Sequence, residues 1–290
     1  MKSLLRKLLS TESEWNPKVM LGRVIVHVFP DRALHRIKKA YYGYLITHTP
    51  EDWIERDAMM VKNMVAPGDI VLDIGANLGV FTRFLSHLIG PDAMVYAFEP
   101  IPQTFEFLTH NLYNKLALTN VTAFDYALSD VNQEQTMVIP RYRWGSECWY
   151  DARMETRKSK PEWRRITVKS RRLDDVFLPL RPNDRIAFIK CDANFHELAV
   201  LRGALATIRK HHPAMLIEVN PDPDNPSTTA YQTFEFLRGE GYLPYCFDGK
   251  TLQPRAKGIR SQNYFFLTAE QYRRIVQNEV PCCHDSRATA

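Results

Sequence analysis

Between Pro50 and Leu267 the apolar positions switch between two spacings, and the switching predicts an order of elements. EDWIERDAMMVKNMV carries its apolar residues at helical spacing and stops at Pro67-Gly68. DIVLDIG follows as a short β-branched run, the pattern of a strand covered on both faces. Phe81, Phe84, Leu85 and Leu88 form one helical stripe, closed by Gly90-Pro91. AMVYAFEP reads as a second strand, Phe105, Leu108, Leu112 and Leu116 as another helical stripe, and VTAFDYAL as a third strand. An irregular middle precedes IAFIKCD (strand), ELAVLRGALATI (helix), AMLIEV (strand) and TAYQTFEFLRGEGY (helix). LPYCFD and NYFFLT close the series as two strands with no helix between them.

Strands alternating with helices predict an α/β domain with a doubly wound, mainly parallel sheet and helices on both faces. The final pair, lacking a crossover helix, predicts one antiparallel strand at the edge. Residues 1–50 read as an irregular or helical extension with one strand-like run, RVIVHVF; the main domain spans 51–275, and 276–290 reads as a flexible tail. Internal repeats and low-complexity segments are not visible.

Composition narrows the class without changing it. With 290 residues, 45% hydrophobic and 24% charged, the chain can bury a full core without staples. Five cysteines without CxxC spacing fit a reducing, cytoplasmic setting rather than a disulfide framework. Cys282, Cys283 and His284 have too few neighbours of their kind to form a metal site. No apolar run approaches the roughly 20 residues of a membrane helix. MKSLLRKLLS is amphipathic and too interrupted by charge for a secretory leader, so it reads as packing on the main domain or, less simply, as a membrane-surface or partner contact. A net charge of +5 suggests anionic neighbours without requiring them.

The candidate chemistry begins at VLDIGANLGVF, where Asp73 ends the first strand before a loop of Gly75, Ala76, Asn77, Leu78 and Gly79. A dinucleotide fingerprint carries three glycines so that backbone can approach a pyrophosphate. Here there are two, and a carboxylate at Asp73 would repel a phosphate. The same carboxylate suits a cation, and S-adenosylmethionine supplies an ammonium and a sulfonium without any phosphate. Amides at the helix start would receive its carboxylate. Glu99, 26 residues on at the tip of the second strand and followed by Pro100, can accept hydrogen bonds from both ribose hydroxyls. Tyr126, Ala127 and Leu128, at the end of the third strand, would lie against the adenine.

At these residues the chain resembles the FkbM-type methyltransferases. The resemblance runs in order through VLDIGANLGVFT, VYAFEPIPQTFEFLTHNL, ALSD, RRLDD, IKCDANFHELAVLRGA, MLIEV and QNYFFL, from about Asp69 to Leu267. It implies a seven-stranded, Rossmann-like class I methyltransferase fold and transfer of a methyl group from S-adenosylmethionine. The acceptor it implies is most often a hydroxyl of a sugar, polyketide or other natural product. The family pattern after the fourth strand reads roughly Lys-x-Asp-x-Glu-Gly-x-Glu. This chain keeps Lys190, Asp192 and Glu197 but carries Asn194 and Phe195 at the Glu and Gly positions. That departure points to an altered acceptor or to lost activity.

Methyl transfer to a hydroxyl needs alignment and a base. His196 suits the base, since its ordinary pKa is about 6.5. Asp192 would orient the acceptor or the base, with Lys190 beside it. A solvent-facing His196 at a helix start is the bland alternative. A second arrangement places a divalent ion on Asp192, Glu218 and Asn220, although a metal is not the favoured reading. From 141 to 172 the chain is dense in Arg, Lys, Trp and Tyr, and few acids balance them. This reads as a cap over an acceptor that is a small molecule or glycan and is itself anionic, or else as a solvated charged hairpin. An RNA acceptor also suits basic and aromatic groups, but no RNA-reading motif accompanies them. A third reading, an S-adenosylmethionine-binding scaffold without turnover, rests on Asn194 and Phe195.

Overall fold

In a computed structural model the protein is described over residues 31–50, 56–141, 147–176, 178, 180, 184–220 and 222–279. RVIVHVF, the leucine-rich start and Cys282, Cys283 and His284 lie outside the described residues.

The elements follow the chain. Helix α1 (Asp31–His48) and the single turn α2 (Ala58–Val61) precede β1 (Ile70–Ile74), α3 (Val80–Ile89), β2 (Met94–Phe98), α4 (Pro102–Thr109) and β3 (Val121–Phe124). Next come β4 (Ala127–Leu128), β5 (Gln133–Ile139), β6 (Arg153–Met154), β7 (Arg164–Arg171) and β8 (Ile186–Cys191). Helices α5 (Glu197–Gly203) and α6 (Leu205–His211), β9 (Ala214–Glu218) and α7 (Thr229–Gly239) follow. The chain then forms β10 (Leu243–Phe247), β11 (Leu252–Pro254), β12 (Asn263–Leu267) and α8 (Ala269–Glu279).

The main sheet has the order β3-β2-β1-β8-β9-β12-β10-β11. Pairs β1–β2, β2–β3, β1–β8 and β8–β9 are parallel. β12 is antiparallel to both β9 and β10, so it is inserted inside the sheet. The edge is the short β11, antiparallel to β10, which makes eight strands where seven were expected. Side-chain alternation divides the core. Val71, Phe84, Leu108, Phe188 and Phe265 pack on one face. Leu72, Leu201, Phe234, Tyr264 and Phe266 pack on the other.

Two expected elements split. ELAVLRGALATI forms α5 and α6, broken at Ala204, where φ is −111 and ψ 11; Gly203 beside the break passes the backbone of Ser129, where an added Cβ would lie 1.9 Å from its carbonyl oxygen. VTAFDYAL ends as β3 and restarts as β4 in a second sheet, of order β4-β7-β5-β6. This sheet occupies what reads in sequence as an irregular middle. In β7 Val168 and Ser170 turn inward and Arg165, Thr167, Lys169 and Arg171 turn out, so much of the basic density of 141–172 is the solvent face of one strand.

Helix α1 packs on the domain rather than standing apart. His35 and Lys39 both reach Glu106, at 2.9 and 2.8 Å, and His35 stacks on Phe107. Arg83 of α3 donates to the carbonyls of Ile46 and Thr49, where the α1 dipole favours a cation. Among the described residues no helix is long and apolar enough to cross a membrane.

Candidate functional site

The site forms where the loops after β1, β2 and β8 meet at the carboxyl edge of the sheet. Gly75 has φ 79, and a Cβ there would fall 2.1 Å from the carbonyl oxygen of Asp192. Only glycine lets the two loops touch. The loop amides are directed at protein acceptors. Gly75 and Ala76 donate to the Phe98 carbonyl, and Gly79 donates to Ala76. Asn77 donates its amide to Glu99 Oε2 at 3.0 Å, and Ile101 donates to Oε1 at 3.0 Å.

Glu99, which lines the cavity, is thus held by two amides, yet burial pushes its pKa up to about 7. The amides and Lys190 oppose that shift, and Asp192 adds to it. The Asn77 Oδ1 is buried without a hydrogen-bond partner. Asp73 is fully buried on the face of β1 that meets α3, where it accepts from Thr82 Oγ1 at 2.6 Å. Lys190 Nζ lies between Asp73 and Asp192, at 3.8 and 3.6 Å.

Glu197 organises the loop after β8. Its Oε1 accepts from the amides of Ala193 and Phe195, at 3.1 and 3.0 Å. Burial, with Asp192 and Glu218 nearby, pushes its pKa up to about 8. Asn194 and Phe195 keep left-handed backbone, at φ 48 and 77. The Asn194 amide donates to the carbonyls of Tyr150 and Ala152, at 3.1 and 2.9 Å, which ties this loop to the second sheet. His196 Nε2 is 2.9 Å from Ser129 Oγ, and burial holds its pKa below the ordinary value.

Together these loops and the second sheet line a cavity that is open to solvent. Of the residues singled out from sequence, Gly75, Asn77, Glu99, Pro100, Tyr126, Ala127, Leu128, Asp192 and His196 line it. Asp73, Ala76, Gly79 and Lys190 are not among its lining residues. Glu218 accepts from Asn220 at 3.2 Å, and among the described residues no three His, Cys, Asp or Glu side chains could together hold a metal. Met154 of β6, and Trp149, Tyr150 and Ala152 on the turn that leads into it, also line the cavity. Only their place in the basic, aromatic segment hinted at this. Ser129 and Glu197 were visible merely as parts of longer motifs.

Six strands running one way and a seventh inserted antiparallel beside the fifth, with a cavity over their carboxyl ends, define a Rossmann-like class I methyltransferase fold. Residues 73–244 match the family model for the Methyltransferase FkbM domain. The chain belongs to that family of methyltransferase domains. Among curated relatives, methyltransferase sdnD of Sordaria araneosa is 25% identical over 195 residues, covering 59% of this chain and 73% of the relative. The 31-O-demethyl-FK506 methyltransferase FkbM of Streptomyces tacrolimicus is 51% identical over 45 residues, 16% of this chain and 17% of the relative. Among solved structures, a methyltransferase FkbM from Methylobacillus flagellatus superposes with TM-score 0.42 at 17% identity, over 69% of this chain and 43% of that one. A SAM-dependent methyltransferase from Aquifex aeolicus gives TM-score 0.41 at 17% identity, over 79% and 98%.

Proposed function

We propose that the protein transfers the methyl group of S-adenosylmethionine to a hydroxyl oxygen of a small-molecule or glycan acceptor. The observation that carries this reading is the polarity of the cavity wall. Glu99, Asp192 and the orphaned Oδ1 of Asn77 are all acceptors, whereas a pyrophosphate needs donors. A ligand with hydroxyls and an ammonium satisfies them. Tyr126, Ala127 and Leu128 offer an apolar wall for a flat base. S-adenosylmethionine fits this set, and its electrophilic methyl carbon supplies the chemistry. Glu99 would hold the ribose diol, and the first amides of α3, which lack intrahelical acceptors, would meet its carboxylate. Asp73 acts from behind, fixing α3 through Thr82 and balancing Lys190.

His196 is the base in this reading. Gln135 donates to Ser129 Oγ at 3.1 Å, and Ser129 can donate onward to Asp130 at 3.2 Å. His196 then donates from Nε2 to Ser129 and keeps the Nδ1 lone pair for an acceptor proton. Its depressed pKa keeps the ring neutral at pH 7. The relative named for 31-O-demethyl-FK506 supports an oxygen acceptor.

Calorimetry with S-adenosylhomocysteine tests the donor site. Replacing Glu99 with Gln should weaken binding about 10- to 100-fold, the range for a hydrogen bond to a charged group. Equal affinity in E99Q, or tighter binding of NAD than of S-adenosylhomocysteine, would overturn the reading.

A further inference from the structure

We propose that the outward face of α1 is a docking surface for an anionic lipid bilayer. Ile37, Tyr41 and Tyr44 enter the interface, and Arg32, Arg36 and Lys38 meet the headgroups. The inference does not rest on the methyl-transfer reading, and no residue of α1 lines the cavity. At about 100° per residue the helix has two opposite faces. His35, Lys39, Tyr42 and Ile46 lie on the inward one. There His35 and Lys39 pair with Glu106, Tyr42 packs edge-on to Phe107 with ring centres 5.4 Å apart, and Ile46 is buried. Ile37, Tyr41, Tyr44 and His48 lie on the outward one.

The outward row is exposed as a unit. Of the nine large apolar side chains exposed among the described residues, three are Ile37, Tyr41 and Tyr44, at 49%, 47% and 58%. Their spacing sets them in one line along the helix, and the Tyr44 ring stacks on His48 at 4.0 Å. Arg36 and Lys38 adjoin Ile37 in sequence, so they fall about 100° to either side of the row, and both are exposed. Arg32, one turn before Arg36, is exposed too. Among the described residues none of these three cations forms an ion pair, whereas Lys39 on the inward face does. Asp31 is the one acid in the helix. Shape and sign then select the occupant. A lone convex helix side has no groove for a partner's side chains, yet it lies flat on a bilayer. There tyrosine rings favour the headgroup level and flanking cations meet anionic lipid. A second copy pairing through this face would instead set like charges against each other.

Flotation of the full chain with vesicles tests this, using phosphatidylcholine alone and phosphatidylcholine with about 30% phosphatidylserine. The mixed vesicles should bind at least tenfold tighter, and the difference should shrink in high salt as the charges are screened. Arg36→Gln with Lys38→Gln should weaken that binding about tenfold or more. Tyr41→Gln with Tyr44→Gln should weaken it severalfold by removing the rings from the interface. Arg157→Gln with Lys158→Gln removes the same charge from exposed positions between β6 and β7 and should leave binding nearly unchanged. Glutamine keeps the helix propensity of α1, and thermal melts confirm that each variant is folded. No preference for phosphatidylserine, or equal losses in R36Q/K38Q and R157Q/K158Q, would overturn the proposal in favour of diffuse surface charge. Wild-type affinity in both α1 variants would also overturn it, placing the contact elsewhere, as at the amphipathic MKSLLRKLLS. Tighter binding of poly-glutamate than of the mixed vesicles would replace the bilayer with an acidic protein partner. Dimerisation in sedimentation velocity that Y41Q/Y44Q removes would replace it with a second copy of the chain.

Discussion

Replacing Phe195 with Gly and with Ala should reverse the ordinary stability order of those two residues. Both substitutions remove the same ring. The lost contact with Arg153 is worth about 0.5–1 kcal/mol at a partly exposed site, and losing half of a phenyl burial costs about 1 kcal/mol more. They differ in the backbone. Phe195 holds φ 77, a left-handed conformation that costs an L residue roughly 1–2 kcal/mol and glycine almost nothing. Glycine in turn loses about 0.5–1 kcal/mol through its freer unfolded chain. F195A keeps the strain and should be destabilised by about 2 kcal/mol, whereas F195G should lose about 1 kcal/mol. Glycine therefore comes out ahead of alanine, where in extended or helical backbone it falls behind by about 0.5–1 kcal/mol. Urea titrations at a common slope read the difference as a shift in midpoint. Alanine more stable than glycine would show that position 195 is not strained.

Asn194→Glu should loosen the second sheet rather than restore a family-like site, because a carboxylate cannot donate to the Tyr150 and Ala152 carbonyls. At about 1–3 kcal/mol for each buried acceptor left bare, amide exchange over 149–154 should speed up at least tenfold while β1 is unaffected; unchanged exchange refutes the bond assignment. Glu99 and Glu197, pushed up to about 7 and about 8, bind protons in the folded state that the unfolded chain has already released, so between pH 8 and about 6.5 the ligand-free protein should become more stable as pH falls. S-adenosylhomocysteine affinity should move oppositely, weakening below about pH 7 as Glu99 is protonated, and E99Q should flatten that dependence.

The parallel core was legible because its strands are short and almost wholly apolar, as in IVLDI and IAFIKC, and because glycine and proline mark the helix ends. The second sheet was not. Its longest strand, β7, turns only Val168 and Ser170 fully inward, and Ser170 gives no apolar signal. Four basic residues on that strand, from Arg164 to Arg171, make the segment read as surface charge. The inserted position of β12 was hidden for another reason. Alternation along a chain predicts which segments are strands, but pairing order depends on long-range packing. Tyr264 and Phe266 face one layer and Phe265 the other, so β12 is buried on both faces and cannot serve as an edge.

At the site, the acids singled out from sequence do stand at or just after strand ends, and pleat direction separates their contacts. Asp73 shares a face of β1 with Val71, so it turns toward α3, while Ile74 takes the cavity side. A one-residue alternation thus turns the Asp73 carboxylate toward α3 and away from the lining of the cavity. The charges still argue for a cation. Asp73, Asp192, Glu99 and Glu197 cluster around one lysine, Lys190, and the raised pKa values of Glu99 and Glu197 record the cost of burying them there. Arg153 and Arg171 are each set over an aromatic ring, and neither is among the residues that line the cavity. In the proposed function the acidic floor is what holds the cationic donor. The donor's charge would offset that of the acids, which aligns its methyl carbon before any bond is made.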